Sequence, residues 1–322
     1  MTRSVTGRFP PGCEYNARAL APLRQTRRRA RALTLVLPLA LALLMAFTGV
    51  AFGDAFSPES GGSPQADKID TLYWTVMVVA VVVFLGVEGA LIYSLVKFRA
   101  RRGAVAAQIR GNTRLEIGWT VGAAVILVVL AILTFVFLPD IRTPPNSGPN
   151  GFQLADRVLV AAGPTKELPP NGKSLNICVN GQQYVWRYTY ADDCRNAPLD
   201  APFSYEQMWV PTDTTVTLDI DAQDVAHSWW IPKLGGKFDA VPGYTNHTWF
   251  KVPGKLAGTT FRGQCAELCG RNHANMTARV TAVTPDQFSA WLDRERQAIK
   301  QANTAAQQQR KRVDAGQSPG GG

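Results

Sequence analysis

Two apolar stretches separated by a short, wholly basic linker constrain the fold of this 322-residue chain more than any other feature. The first runs from about Leu72 to Val96 and the second from about Ile117 to Leu138. As a helix, each is long enough to cross about 30 Å of hydrocarbon. Their wealth of Val, Ile, Leu and Ala makes a pair of buried soluble helices the weaker reading. The connecting segment, KFRARRGAVAAQIRGNTR, carries Lys97, Arg99, Arg101, Arg102, Arg110 and Arg114 and no acid. Basic residues beside apolar spans stay on the cytoplasmic side. The sequence therefore predicts a transmembrane hairpin over residues 71–139, its turn inside and both ends of the mature chain outside. The preceding SPESGGSPQADK, in an exported N-terminal segment 54–70, reads as a flexible lead-in.

A further apolar run, Ala32 to Phe52, follows RQTRRRARA and ends in Ala51-Phe52-Gly53 before Asp54. That order is the pattern of a secretory signal peptide, here residues 1–53; because the run is long, an uncleaved signal anchor is the alternative. No Cys follows the run, which argues against a lipid-anchored N-terminus. The net charge of +10 is unevenly placed: residues 1–33 carry eight Arg and one Glu, whereas residues 140–295 carry 14 basic and 16 acidic side chains. The charge is a topology signal, not a nucleic-acid footprint. Two acids mark the hairpin. Glu88 lies inside the first span, where a carboxylate must face protein or water; a polar contact with a neighbouring helix and a proton role both remain open. Glu116 stands at the cytoplasmic start of the second span, by position an interfacial residue.

From Pro139 the composition changes. Residues 139–173 are rich in Pro, Gly and Asn and read as linker and loop. Short β-branched and aromatic runs follow: Leu175–Val179, Tyr184–Tyr190, Thr215–Ile220, His247–Val252, Thr259–Arg262 and Thr277–Val283. Turn residues separate them, the spacing of a sandwich or barrel. One helix comes last: Thr284 can cap it, Pro285 fits its first turn, Gln287 completes a capping box, and Phe288, Trp291 and Leu292 form its apolar face. Residues 296–322 read as a polar disordered tail. Cys13 falls in the signal segment; Cys178 and Cys194 share an exported compartment that permits a disulfide.

The soft ligands are concentrated in GQCAELCGRNHANM, residues 263–276, which holds two of five cysteines and one of three histidines. Cys265, Cys269, His273 and Met276 follow the order C-x3-C-x3-H-x2-M, which is neither a zinc-finger spacing nor a haem-attachment motif. A mononuclear blue-copper site uses one Cys, two His and a weak Met; this loop has one Cys too many. Two thiolates with two imidazoles, a thioether and a backbone carbonyl could hold two copper ions that share the sulfurs. The second imidazole would come from His227 in DVAHSWWIP or His247 in NHTWF. A disulfide between Cys265 and Cys269 is the bland alternative, and it leaves the regular His and Met offsets unexplained.

Three separated motifs, GQCAELCGRNHANM, DVAHSWWIPKLGGKFDAVPG and LEIGWTVGAAVILVVLAI, resemble subunit II of cytochrome c oxidase, in the haem–copper oxidase superfamily. The likeness covers about residues 70–295. It implies a membrane-anchored all-β chain, in which a two-helix transmembrane hairpin leads into a cupredoxin-like Greek-key β-sandwich (140–295) with a C-terminal helix. It further implies a binuclear CuA centre bridged by Cys265 and Cys269, with His227 and His273 each on one copper, completed by Met276 and the carbonyl of Glu267. The Glu267 side chain would join a magnesium site shared with subunit I. Glu116, three residues before Trp119, would stand at the entrance of a proton pathway. No haem would be held by this chain.

The activity so implied is that of an aa3-type cytochrome c oxidase. Electrons pass from cytochrome c through CuA to haem a of subunit I, and oxygen is reduced to water with proton pumping. The partners implied are subunit I, other oxidase subunits, the lipid bilayer and cytochrome c, whether soluble, membrane-bound or in a supercomplex. The place implied is the bacterial plasma membrane, multi-pass, with the copper domain on the outer face. One departure stands out. Where the family has Trp-Tyr-Trp after Gly-His-Gln, this chain reads GQQYVW, so Tyr184 or Trp186 would be the point of electron entry. A quinol oxidase subunit would lack the copper ligands. A membrane-tethered copper carrier, the competing function, would need neither Glu116 nor DVAHSWWIP.

Overall fold

In a computed structural model, residues 57–99, 105, 108–152 and 166–315 are described. The expected signal peptide, Cys13 and residues 316–322 lie outside them. The two apolar stretches form helix α1 (Pro64–Lys97) and helix α2 (Thr113–Arg142), of 34 and 30 residues. At 1.5 Å per residue these are about 50 and 45 Å long, more than the bilayer core requires. Both have the length and apolar composition of membrane spans. Asn112 caps α2 by accepting the Leu115 N–H, and the Glu116 carboxylate returns to the Asn112 N–H at 3.3 Å.

The extra turns lie at the outer ends, and they correct the reading of SPESGGSPQADK as a flexible lead-in. Pro64 opens α1, and Ser63, Gln65 and Ala66 are buried. Pro is pre-organised for a first helical turn, and tertiary burial then orders residues whose composition alone suggests a linker. Gln65 Nε2 donates to the Ile141 carbonyl at 3.2 Å, and Ser63 Oγ accepts the Lys251 N–H.

After the hairpin, the described residues form ten strands: β1 (Leu175–Gln182), β2 (Val185–Thr189), β3 (Phe203–Tyr205), β4 (Gln207–Pro211), β5 (Thr215–Ala222), β6 (His227–Trp229), β7 (Phe238–Ala240), β8 (Asn246–Lys251), β9 (Thr260–Gln264) and β10 (Thr277–Val283). One sheet has the order β3-β2-β1-β5-β8 and a second the order β4-β10-β9, while β6 and β7 form a small hairpin. Strand β1 runs parallel to β5, and β4 parallel to β10. The strands absent from the sequence reading are β3, β4, β6 and β7. Three of them span three residues, too few for alternation to register.

Alternation along the longer strands builds the core. Ile177 and Val179 of β1, Trp186 and Tyr188 of β2, and Leu218 and Ile220 of β5 are fully buried, and from the second sheet Val280 and Ala282 meet them. The last helix, α3 (Pro285–Asp314), starts at the expected capping box and buries Phe288, Trp291 and Leu292. It does not stop at residue 295. Residues 296–314, expected as disordered tail, continue it, every residue from 301 to 314 exposed. Ala, Gln, Lys and Arg are strong helix formers, so a helix nucleated by packing propagates through a segment that has no apolar face.

Cys178 and Cys194 form a disulfide with a Cα–Cα distance of 5.5 Å. Beside it, Asp219 accepts from Lys166 Nζ at 2.8 Å and His247 Nδ1 at 2.8 Å. His247 is thus a tethered polar residue of the sheet and takes no part in the ligand cluster.

Candidate metal centre

The expected ligands come from two loops that the sandwich brings to one place. His227 opens β6 after the loop leaving β5, and Cys265, Cys269, His273 and Met276 lie between β9 and β10. Pairing of β9 with β10 closes the second loop: Thr277 faces Gln264, and the Cys265 N–H reaches the Met276 carbonyl at 2.9 Å. The Ala266 N–H donates to the Ser228 carbonyl, fixing one loop to the other.

His227, Cys265 and Cys269 present ligand atoms that all lie within 4.8 Å of one another, and all three residues are buried. The two thiols are free, and their sulfurs are 3.8 Å apart, so the alternative of a Cys265–Cys269 disulfide is not what the fold forms. Cys265 Sγ is 3.8 Å from His227 Nδ1 and 3.2 Å from the Glu267 carbonyl oxygen. Cys269 Sγ is 3.5 Å from His273 Nδ1 and 3.9 Å from Met276 Sδ. Each sulfur thus has its own imidazole, one has the carbonyl and the other the thioether. That soft, nitrogen-containing donor set suits copper. Burial, and next the neighbouring Cys265, push the Cys269 thiol up to about 11. A metal bound here must displace that proton, so affinity should rise with pH.

The surroundings orient the set. His227 is completely buried. Its far nitrogen, Nε2, is 2.9 Å from Asp224 Oδ1, which leaves Nδ1 to face the sulfurs. Burial works against the Asp224 charge, but His227 and the backbone N–H groups of Gln183 and Val225 hold its carboxyl below the ordinary value. Trp186 is also fully buried, its ring edge-on to His227 with centroids 5.8 Å apart. It therefore lies beneath the cluster and away from the surface, and of the two expected entry residues only Tyr184 reaches solvent. The Glu267 side chain is exposed. Glu116 lies far off in sequence, at the start of α2, where it contacts the helix cap. Asp224, three residues before His227, is the functional residue that the sequence reading passed over. A ligating His needs an acceptor for its other ring N–H, and that requirement was the available signal.

The family described as cytochrome c oxidase subunit II, periplasmic domain, matches residues 175–283. Its transmembrane domain matches residues 51–137. A cytochrome c oxidase subunit 2 from Synechocystis is 32% identical over 255 residues, covering 71% of this chain and 73% of the relative. The chain belongs to the cytochrome c oxidase subunit II family. Another subunit 2, from Alkalihalophilus pseudofirmus, is 34% identical over 235 residues. That match spans 71% of this chain but only 59% of the relative. The crystallised periplasmic domain of cytochrome oxidase subunit II from Bradyrhizobium japonicum is 28% identical, covers 39% of this chain and 95% of its own, and has a TM-score of 0.35. The two family matches fall on the hairpin and on the sandwich that carries the thiol and imidazole cluster.

Proposed function

We propose that this chain is the electron-entry subunit of an aa3-type cytochrome c oxidase of the bacterial plasma membrane, its sandwich on the outer face. Bound between Cys265, Cys269, His227, His273, Met276 and the Glu267 carbonyl, two copper ions would supply one-electron relay chemistry, from cytochrome c toward haem a of subunit I. The observation that carries this reading is the gathering of two free, buried thiols and two imidazoles at one end of a rigid sandwich. Functional loops held on such a scaffold keep their spacing, as a relay that must change little on oxidation requires.

The chain's own residues divide the work. Cys265 stands against His227 and Cys269 against His273, and Asp224 fixes the ring of His227. The buried ring of Trp186, edge-on to His227, excludes water from the inner side. Tyr184 stands where a donor protein can approach. The exposed Glu267 carboxylate would join a magnesium ion at the boundary with subunit I, and Glu116, at the start of α2, would pass protons toward the oxygen-reducing site. Proton pumping belongs to the whole complex.

Metal analysis with electron paramagnetic resonance of the membrane-extracted complex tests the reading. Two coppers per chain and a seven-line hyperfine pattern are expected, both absent in Cys265→Ser. A single, readily exchanged Cu(I) without that signal would instead indicate a copper carrier.

A further inference from the structure

The turn between β1 and β2 touches both ligand loops, and it does so through residues other than the aromatic ones. The Gln183 backbone N–H donates to Asp224 Oδ2 at 2.7 Å, while the other oxygen of Asp224 holds His227. The Gln183 side chain reaches the opposite way: Nε2 donates to the carbonyl of Cys269 at 2.7 Å. Gln183 is therefore the one link in an unbroken chain of contacts His227–Asp224–Gln183–Cys269 that is not part of either loop. Two glycines make room for it. A side chain at Gly181 would meet the His227 ring at 3.0 Å and Trp186 at 3.1 Å. One at Gly270, where φ is +131°, would meet Tyr184 Oη at 2.6 Å and Gln183 Nε2 at 2.9 Å.

We infer that Gln183 is a positioning residue: it braces the His227 loop against the Cys265–Cys269 loop and so sets the spacing of the metal donors before any metal arrives. Its significance for copper rests on the function proposed above, but the brace itself is a property of the protein. Partners behind metal ligands commonly change affinity ten- to a hundredfold when removed, and here one residue serves both sides. The same turn carries Tyr184, so a substitution there that perturbs Gln183 would slow electron entry by disturbing the donors, without any role for the tyrosine ring as a conductor.

Gln183→Met keeps the length and the backbone donor and deletes the amide. In the full chain stripped of metal, hydrogen exchange over residues 264–276 should speed up about fivefold or more, the scale of one lost hydrogen bond, while exchange in β5 and β10 is unchanged. In the copper-loaded complex the variant should lose copper to a chelator about ten times faster, with altered hyperfine splitting. Asp224→Asn, which keeps an acceptor oxygen for one of the two partners, should retain copper better than Asp224→Ala, which keeps none. Unchanged exchange in the metal-free Gln183→Met chain overturns the brace whatever the copper result. Absence of copper from the unaltered complex would overturn the proposed function and leave the exchange test of the brace standing.

Discussion

The Asp219 side chain is 8% exposed and lies between Lys166, whose side chain is 4% exposed, and the partly buried His247. Burial works against the Asp219 charge, but hydrogen bonds from His247, Lys166 and Asn176 and the charge of Lys166 outweigh it and leave the carboxyl below its ordinary value. A carboxylate whose folded value is depressed stabilises the fold fully above its unfolded value, about pH 4. That contribution fades as pH falls through the lower folded value. Asp219→Ala, which strands a buried ammonium, should lower stability by about 3–5 kcal/mol at neutral pH. Asp219→Asn should flatten the loss of stability seen in denaturant titrations as pH drops from about 5 toward 3; an unchanged slope would mean that other carboxylates govern acid unfolding. None of this was visible in the sequence. His247 is the cross-strand partner of Asp219, 28 residues away, and only strand register brings them opposite one another. The donor cluster was legible because four of its side chains share fourteen residues, and His227 because its motif is distinctive. Asp224 and Gln183 were missed because their chemistry is ordinary until the loops meet.

Among the elements, the disulfide and the last helix contribute differently. Cys178 lies on β1 and Cys194 in the loop after β2, 16 residues on. Closing a loop of that size removes about 3 kcal/mol of chain entropy from the unfolded state. The Cys178→Ser, Cys194→Ser double variant should therefore unfold at lower denaturant by about that amount, with the metal donors undisturbed and copper content equal to wild type. In α3 the stabilising residues are confined to the first two turns. Phe288 is fully buried and packs edge-on against Phe152 at 5.1 Å, so Phe288→Ala should cost about 3–5 kcal/mol. Among the described residues, truncation after Lys300 removes only exposed side chains, and it should shift the midpoint by less than about 0.5 kcal/mol. A larger loss on truncation would reveal a partner for the exposed helix. Here sequence reasoning located the start of α3 correctly, because caps are local chemistry, and misplaced its end, because propagation of an established helix needs no apolar face. The lead-in failed for the opposite reason: its order comes from residues of β8, nearly two hundred positions away.

For the molecule as a whole, the decisive feature is how the sandwich is mounted on the hairpin. The indole of Trp249 in β8 donates to the carbonyls of Ile141 at 3.1 Å and Arg142 at 2.9 Å, the last turn of α2. Gln65 joins that same carbonyl of Ile141 to Thr248. Its amide lies directly against Gly235, at φ +154°, where any Cβ would overlap it. Lys68 and Asp140 pair across the outer ends of the two helices at 2.8 Å. The sandwich is therefore bolted to both spans through β8 and the segment after β6, and β6 itself begins with His227. The relay proposed above, passing electrons to a haem inside the membrane, would need a fixed distance more than a strong interface, since transfer falls steeply with separation. The Gln65→Ala, Trp249→Phe double variant leaves helix-end carbonyls without their donors, about 1–3 kcal/mol of local stabilisation. It should speed hydrogen exchange at the start of α1 and slow electron delivery from copper to haem, while copper content and hyperfine pattern stay those of the wild type. Gln183→Met predicts the reverse, a changed copper signal with the mount intact. Should the double variant alter the copper spectrum as well, the mount and the donor set would be one structural unit, and distance to the membrane could not be tuned apart from the geometry of the centre.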